Sequence, residues 1–377
     1  MGKMNYDLGN VRILCMGDES IWAFDEKLRS YYWFDSNTFE TKMVIPYPEN
    51  IRVEYPFSGL CATDKGLFLT PWYADDIYFY NFATSEHVKL NVPFDNYEII
   101  AEREGRKQFK IIKNADYVFC ICRSPDLIIQ INPNDLSFEI IEFFTARPKH
   151  NGFACGNFFP GISENKIIIP YVDGDYVMYD PQDKSYETHR FEELSDGQIK
   201  IDIEDEFPLG FCENKASKAF YTNEGKIILF CEGFLRVIDS QKMAKEHFGP
   251  EAQCHVIGVF LVNKDLLVVY DWQTSVLRIN LDTLNSELIH NPEWPVWRKD
   301  IRSYLDVDIS HDNKMMILGF EGGAGLYRLD MDKLMIERLC LKADWFKMTR
   351  HQSICCHVFR EEQIESDHLE SLMALLF

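Results

Sequence analysis

Long hydrophobic runs are absent from this sequence. The longest one, Val256 to Val262, is followed at once by Asn263, Lys264 and Asp265, so it is too short to cross a bilayer. The amino-terminal stretch MGKMNYDLGNVRILC also lacks the apolar core and the small-residue cleavage pattern of a signal peptide. We therefore expect no membrane association and a cytoplasmic location.

Positive charge is scarce. The chain has 39 Lys and Arg residues against 60 Asp and Glu residues, which gives a formal net charge of −21. A charge of this sign repels phosphate backbones and anionic lipid headgroups. We expect neither a nucleic acid partner nor a membrane surface as a partner.

Paired cysteine motifs are also missing. The 11 cysteines are an odd number, and most lie singly in predicted strands rather than in a disulfide framework. Near the C-terminus, Cys355 and His357 would share one face of a strand, but the second ligand pair of a structural zinc site is absent. The sequence therefore predicts reduced thiols, no metal site and no cofactor.

Sequence motifs of several enzyme classes are absent. The chain has no Gly-x-Ser-x-Gly elbow, no Walker motif and no dinucleotide-binding fingerprint. The acidic segment 192–206 does not follow the twelve-residue pattern of a calcium loop. Any chemistry would have to come from side chains that the fold brings together.

What the sequence does contain is a repeated strand pattern. Seven apolar strands each end in an Asp or Asn, a residue type whose short side chain accepts N–H bonds in the following turn. These seven anchors are Asp35, Asn81, Asn132, Asp180, Asp239, Asn280 and Asp330. Successive anchors are 41 to 59 residues apart. A period near fifty residues is typical of propeller blades.

Each copy reads as four antiparallel strands. An apolar strand such as 67–70 precedes the anchor, a turn such as Asp64-Lys65-Gly66 precedes that strand, and an innermost strand lies upstream of the turn. Stacking such sheets in a ring buries their apolar faces. The sequence thus predicts an all-β fold, a seven-bladed β-propeller of four-stranded antiparallel blades. It would form a single domain over residues 1–359, followed by a short C-terminal amphipathic helix at 360–377.

From residue 11 to about 350 the chain resembles β-propeller repeat proteins in general. The resemblance is to their architecture, because the Gly-Gly of kelch repeats occurs only at Gly322-Gly323 and the Asp-Trp pairs at 271 and 344 fall in predicted loops. It implies the fold and carries no family function to individual residues.

A candidate site follows from the loop positions. In a propeller, the loops between second and third strands and the connections between blades lie on one face, around the channel mouth. Counting back from the anchors selects Glu26, Trp72, Arg123, Tyr171, Glu232, Asp271 and Glu321. Tyr73 and Trp272 adjoin two of these, and the connection 289–303 adds Trp294, Trp297 and Arg298. Such loops are also polar simply because they face solvent.

Three functions remain open. The leading hypothesis is a non-catalytic propeller that binds a protein, peptide or small ligand through these Trp, Tyr and Arg anchors. A second is a glycoside hydrolase-like or lyase-like enzyme, in which Asp271, Glu232 and Glu321 supply acid and base, Tyr171 assists and Arg123 holds an anionic substrate. A third is a carbohydrate-binding module that stacks glycans on tryptophans.

Overall fold

A computed structural model describes the strands and many of the turns of this chain. The described residues are 4–6, 11–17, 19–25, 30–48, 51, 53, 56–97, 109–123, 126–143, 158–163, 165–170, 176–189, 217–221, 227–231, 234–238, 243–247, 256–270, 275–283, 285–290, 304–310, 314–320, 326–339 and 341–343. Almost all regular structure in these ranges is β, and the exception is a 3-10 helix at Phe94–Asn96. Both the predicted C-terminal helix and the domain boundary at residue 359 lie outside the described residues.

The first half of the chain forms a short terminal strand and three sheets. The terminal strand is β1 (Met4–Tyr6). Sheet 1 contains β2 (Val11–Met16), β3 (Ser20–Asp25), β4 (Ser30–Asp35) and β5 (Thr41–Pro46). Sheet 2 contains β6 (Phe57–Ala62), β7 (Gly66–Pro71), β8 (Tyr78–Asn81) and β9 (Glu86–Lys89). Sheet 3 contains β10 (Phe109–Lys113), β11 (Val118–Arg123), β12 (Asp126–Ile131) and β13 (Phe138–Glu142).

The second half continues the same order after a two-residue strand, β14 (Phe158–Phe159). Sheet 4 contains β15 (Gly161–Ser163), β16 (Lys166–Pro170), β17 (Tyr176–Asp180) and β18 (Ser185–His189). Sheet 5 contains β19 (Ser217–Tyr221), β20 (Ile227–Cys231), β21 (Phe234–Ile238) and β22 (Met243–His247). Sheet 6 contains β23 (Val256–Val262), β24 (Asp265–Tyr270), β25 (Ser275–Asn280) and β26 (Ser286–His290). Sheet 7 contains β27 (Tyr304–Ile309), β28 (Met315–Phe320), β29 (Leu326–Asp330) and β30 (Met335–Arg338), and the last described strand is β31 (Leu341–Ala343).

Six sheets consist of four consecutive antiparallel strands, as the repeat predicts. Sheet 5 departs from that prediction, because β14 adds a fifth strand that pairs parallel with β19 through Phe158 and Ser217. The extra strand comes from the chain before sheet 4, and such non-local pairing leaves no trace in a local sequence period. The fifth repeat still supplies four consecutive antiparallel strands, and what the prediction missed is the added strand β14.

The repeated Asp or Asn caps the turn after the third strand of its sheet. In sheet 1, Asp35 Oδ1 accepts hydrogen bonds from the N–H groups of Thr38, at 2.8 Å, and Asn37, at 3.0 Å. The hydrogen bond from the Thr38 N–H is the largest of the interactions that lower the pKa of Asp35 to about 2. The same pair of bonds recurs at Asn81, Asn280 and Asp330. This local cap explains why the anchor recurs in the sequence.

The core lies between neighbouring sheets. Aromatic rings dominate the contact of sheets 1 and 2, where Trp22 stacks on Phe82 at a centroid distance of 5.5 Å. Sheets 2 and 3, 3 and 4, and 6 and 7 are joined by similar buried clusters. Between sheets 3 and 4 the buried Tyr179 hydroxyl also donates to Gln130 Oε1 at 2.6 Å. In these described contacts, each sheet covers an apolar face of its neighbour.

Sheet 1 packs directly on sheet 7. Ile21 and Phe34 of the first sheet share a buried cluster with Ile317 and Leu326 of the last one. The terminal strands β1 and β31 pair antiparallel, with Tyr6 opposite Leu341. Contacts between successive sheets and between the first and last define a β-propeller of four-stranded antiparallel blades. No helix in the described part of the chain is long and apolar enough to span a membrane.

Candidate functional site

The structure describes only part of the predicted site. Side chains are described for Trp72 and Tyr73, and the backbone of Arg123 is described as the last residue of β11. The other predicted residues lie outside the described ranges: Glu26, Tyr171, Glu232, Asp271, Trp272, Trp294, Trp297, Arg298 and Glu321. Whether those residues converge stays a prediction, and the site below is built from sheet 2.

Trp72 and Tyr73 begin the segment that joins the second and third strands of sheet 2. We call residues 72–77 the sheet 2 loop, and the edge of the sheet where it lies the loop edge. β7 ends at Pro71, directly before Trp72, and β8 begins at Tyr78. Arg123 occupies the corresponding strand end in sheet 3. Both positions agree with the count from the sequence anchors.

The start of the sheet 2 loop is held by one carbonyl group. Pro56 O accepts hydrogen bonds from Trp72 N at 2.7 Å and from Ala74 N at 2.9 Å. Because Pro56 directly precedes β6, these bonds tie the loop to the chain that enters the sheet. Trp72 and Tyr73 are half-buried, so each ring is partly covered and partly open to solvent.

An ion pair lies further along the loop. Asp75 Oδ2 is 2.7 Å from Lys89 Nζ, and Asp75 Oδ1 accepts a bond of 2.9 Å from the Tyr78 hydroxyl. Partial burial by itself would raise the pKa of Asp75, but the bonds from Lys89 and Tyr78 outweigh it and lower the pKa. The Asp75 side chain is 61% exposed, so it presents a negative charge in the same loop as Trp72 and Tyr73.

Asp76 behaves differently from its neighbour. Its side chain is buried, and Oδ1 accepts bonds from Ile77 N at 2.7 Å and Val92 N at 3.1 Å. Burial raises the pKa of Asp76, and the two N–H bonds oppose that shift without cancelling it. The Oδ2 atom lies 3.9 Å from Lys89 Nζ. Two adjacent carboxyl groups therefore have pKa values displaced in opposite directions.

The indole nitrogen of Trp72 is buried and makes no hydrogen bond within the described structure. An unpaired buried N–H group costs about 1–3 kcal/mol relative to a paired one. Trp72 therefore retains a hydrogen-bond donor that no described neighbour uses.

Counting from the anchors found the aromatic pair and missed the residues that hold it. Pro56, Asp76 and Lys89 lie in three different segments, and only the fold brings them together. A partial signal was present, because Asp75 and Asp76 follow directly after Trp72, Tyr73 and Ala74. Among the described residues, no group of three His, Cys, Asp or Glu side chains could hold a metal ion. The segment with Cys355 and His357 lies outside them.

Comparison with known proteins supports the fold class. No protein-family profile matches this chain, and no curated protein sequence matches it. Among solved structures, a catalytically inactive virginiamycin B lyase from Staphylococcus aureus with quinupristin has a TM-score of 0.57 at 12% identity, over 87% of this chain and 98% of that one. The extracellular domain of a hybrid two component system from B. thetaiotaomicron has a TM-score of 0.54 at 13% identity, over 86% of this chain and 39% of that one.

A further similar structure is PorZ, a surface component of the type-IX secretion system of Porphyromonas gingivalis. Its TM-score is 0.53 at 9% identity, and the match covers 87% of this chain and 37% of PorZ. At such low identities the likeness concerns the fold alone. The chain is thus of the β-propeller class, and its function has to be argued from its own residues.

Proposed function

We propose that this chain is a non-catalytic β-propeller that binds a protein or peptide partner at the loop edge carrying Trp72 and Tyr73. The observation that carries the proposal is the construction of the sheet 2 loop. Its start is held by Pro56 O and its end by Asp76, and the aromatic pair stands between them. A loop backbone held in this way loses little conformational entropy on binding.

Aromatic side chains with a polar group are frequent anchors of protein interfaces. Trp72 and Tyr73 are half-buried and partly open, as an anchor needs to be. The charge beside them favours a partner segment with positive charge, because Asp75 is exposed and the whole chain carries a net charge of −21. The proposed partner is therefore a protein or peptide segment rich in Lys or Arg.

The proposal includes seven blades. Strands β19 to β22 are consecutive and antiparallel like the strands of the other six blades, and β19 lies beside β15 and β16 of sheet 4. We count sheet 5 as the fifth blade of the ring, with β14 as an added edge strand.

The proposal also includes a cytoplasmic location. It is supported by the free thiols of Cys15, Cys61, Cys120 and Cys122, because free cysteines suit a reducing compartment.

Affinity capture with the intact protein tests the binding function. Wild type, Trp72→Ala and Tyr73→Ala would be compared by quantitative mass spectrometry, and each candidate partner would then be titrated as a purified protein. Truncation of a true anchor should weaken binding by about 2 kcal/mol or more while the urea midpoint changes little. Raised salt should weaken binding further if the partner is basic.

The matched control is Asp64→Ala. Asp64 is exposed in the turn between the first two strands of sheet 2, at the opposite edge from Trp72. Binding that survives both aromatic truncations and is abolished at Asp64 would place the interface on the wrong edge and overturn the proposal.

A further inference from the structure

Asp76 is only 2% exposed although it carries an acidic group. Burial of an ionised carboxylate is unfavourable unless hydrogen bonds or an opposite charge compensate for it. At this position the compensation comes from two backbone N–H groups and from Lys89 at 3.9 Å. The placement of these partners shows what the buried carboxylate connects.

The two N–H groups belong to different parts of the chain. Ile77 is the last residue of the sheet 2 loop, whereas Val92 lies beyond the end of β9. The Oδ1 atom of Asp76 therefore joins the end of the sheet 2 loop, just before β8, to the segment that follows β9. Pro56 precedes β6, the first strand of the sheet. The bonds to Pro56 and Asp76 together therefore link the loop to the chain segments before and after sheet 2.

We propose that Asp76 is the positioning residue of the sheet 2 loop, and that it holds Trp72 and Tyr73 in place by tying the loop to Val92. Pro56 O fixes the first half of the loop, and Asp76 fixes the second half. Leu90 N also donates to Ile77 O at 3.0 Å, so without the bond to Val92 the second half of the loop keeps this backbone bond but loses its buried side-chain tie. The consequence for partner binding rests on the proposed function, whereas the effect on the loop does not.

Asp75 provides a matched comparison. It is adjacent to Asp76 and has the same chemistry, but its bond to Lys89 lies at the surface and its bond from the Tyr78 hydroxyl is only partly buried. Exposed ion pairs contribute little to stability, because solvent screens them. Loss of the Asp75 charge should therefore leave the loop nearly unchanged, while loss of the buried acceptor at Asp76 should not.

Amide hydrogen exchange tests the proposal without any partner. In Asp76→Ala, the N–H groups of Val92, Trp72 and Ala74 should exchange about tenfold faster or more, because the loss of a buried acceptor costs about 1–3 kcal/mol. Asp76→Asn keeps an oxygen acceptor at the same place, so it should protect all three amides at least as well as wild type. Asp75→Asn should exchange at the wild-type rate.

The pH profile supplies a second readout. The charged groups that face Asp76 are Lys89 of β9 and Asp75 of the same loop. Burial raises the pKa of Asp76, so the neutral form of Asp76 stabilises the folded position of the sheet 2 loop. The protection of Val92, corrected for intrinsic exchange, should fall as pH rises through the folded-state pKa of Asp76. Asp76→Asn should show no such change, and Asp75→Asn should retain it.

Several outcomes would overturn the positioning role. If Asp76→Ala accelerates Val92 alone and leaves Trp72 and Ala74 at wild-type rates, Asp76 is a local cap and the proposal is wrong. If Asp76→Ala does not fold, the pH profile decides, and a wild-type profile as flat as that of Asp76→Asn refutes it. If Asp76→Ala loosens the loop but Trp72→Ala and Tyr73→Ala capture partners as well as wild type does, the positioning role stands and the proposed binding function fails.

Discussion

The backbone N–H of Met16 donates a hydrogen bond of 2.7 Å to Asp308 Oδ2, across 292 positions of the sequence. Met16 ends the first strand of sheet 1 and Asp308 lies near the end of the first strand of sheet 7. The other carboxylate oxygen of Asp308 accepts from Ile309 N at 2.9 Å. The side chain of Asp308 therefore adds a hydrogen bond to the apolar contact between the first and last sheets of the ring.

Replacement of Asp308 by alanine should weaken ring closure. The Met16 N–H would lose its charged acceptor, and hydrogen bonds to charged groups contribute about 1.5–3 kcal/mol. Urea unfolding should show a loss of that size, with Asp308→Asn in between. The control is Asp282→Ala, which removes an exposed ion pair with Lys264. Equal midpoints for Asp308→Ala and wild type would contradict this assignment.

The hydrogen bond between Tyr179 and Gln130 should stabilise the contact of sheets 3 and 4. In Tyr179→Phe the buried Oε1 atom of Gln130 loses its donor, so the free energy of unfolding should fall by about 1–3 kcal/mol. Gln130→Leu in the same background should recover part of the loss, because the unpaired oxygen is removed as well. A double-mutant cycle measures the coupling, and additive effects would show that the bond contributes nothing.

His87 should make the protein sensitive to mild acid. Burial lowers the pKa of His87 from its ordinary value of 6.5 to about 4. Between these values the unfolded chain binds a proton that the folded chain does not. Stability is therefore full above about pH 6.5 and falls as pH decreases toward 4. Urea unfolding between pH 7 and 4 should show this decline, and His87→Leu should flatten it. A His87→Leu profile parallel to wild type would refute the assignment.

Native thiols in the core should resist alkylation. Burial raises the pKa of Cys61 to about 12, and it raises that of Cys120 well above its ordinary value. Because the thiolate is the reactive form, iodoacetamide at pH 8 should leave both residues unlabelled until denaturant is added. Peptide mass spectrometry gives the labelled fraction at each cysteine. Rapid labelling of Cys61 in the folded protein would contradict its burial.

The strand repeat could be predicted from sequence because its signals are local. The Asp35 side chain bonds to N–H groups two and three residues later, so the anchor and its turn lie within one short window. The backbone conformation four residues after several of the anchors could not be predicted from the sequence. Phe39, Leu136 and Leu334 have positive φ angles there, although none is glycine. The closed turn imposes this strain, and residue preference does not reveal it.

Contacts between distant segments account for the rest. The parallel pairing of β14 with β19 and the pairing of β1 with β31 depend on where the ring brings two strands together. At the site, Trp72 and Tyr73 follow from the strand count, whereas Pro56 and Asp76 matter only through bonds made in the folded loop. Local periodicity therefore predicts the strand order well, but it does not reveal which residues hold a loop through hydrogen bonds.

The direct contact of sheet 1 with sheet 7 has a consequence for biosynthesis. Tyr32 and Phe34 are fully covered only once the chain from Tyr304 onward has been made. At about 5–20 residues per second, a ribosome needs tens of seconds to translate the intervening segment. During that interval the nascent chain exposes an aromatic surface to solvent. Ribosomes stalled between the two sheets should recruit chaperones, and release of the completed chain should free them.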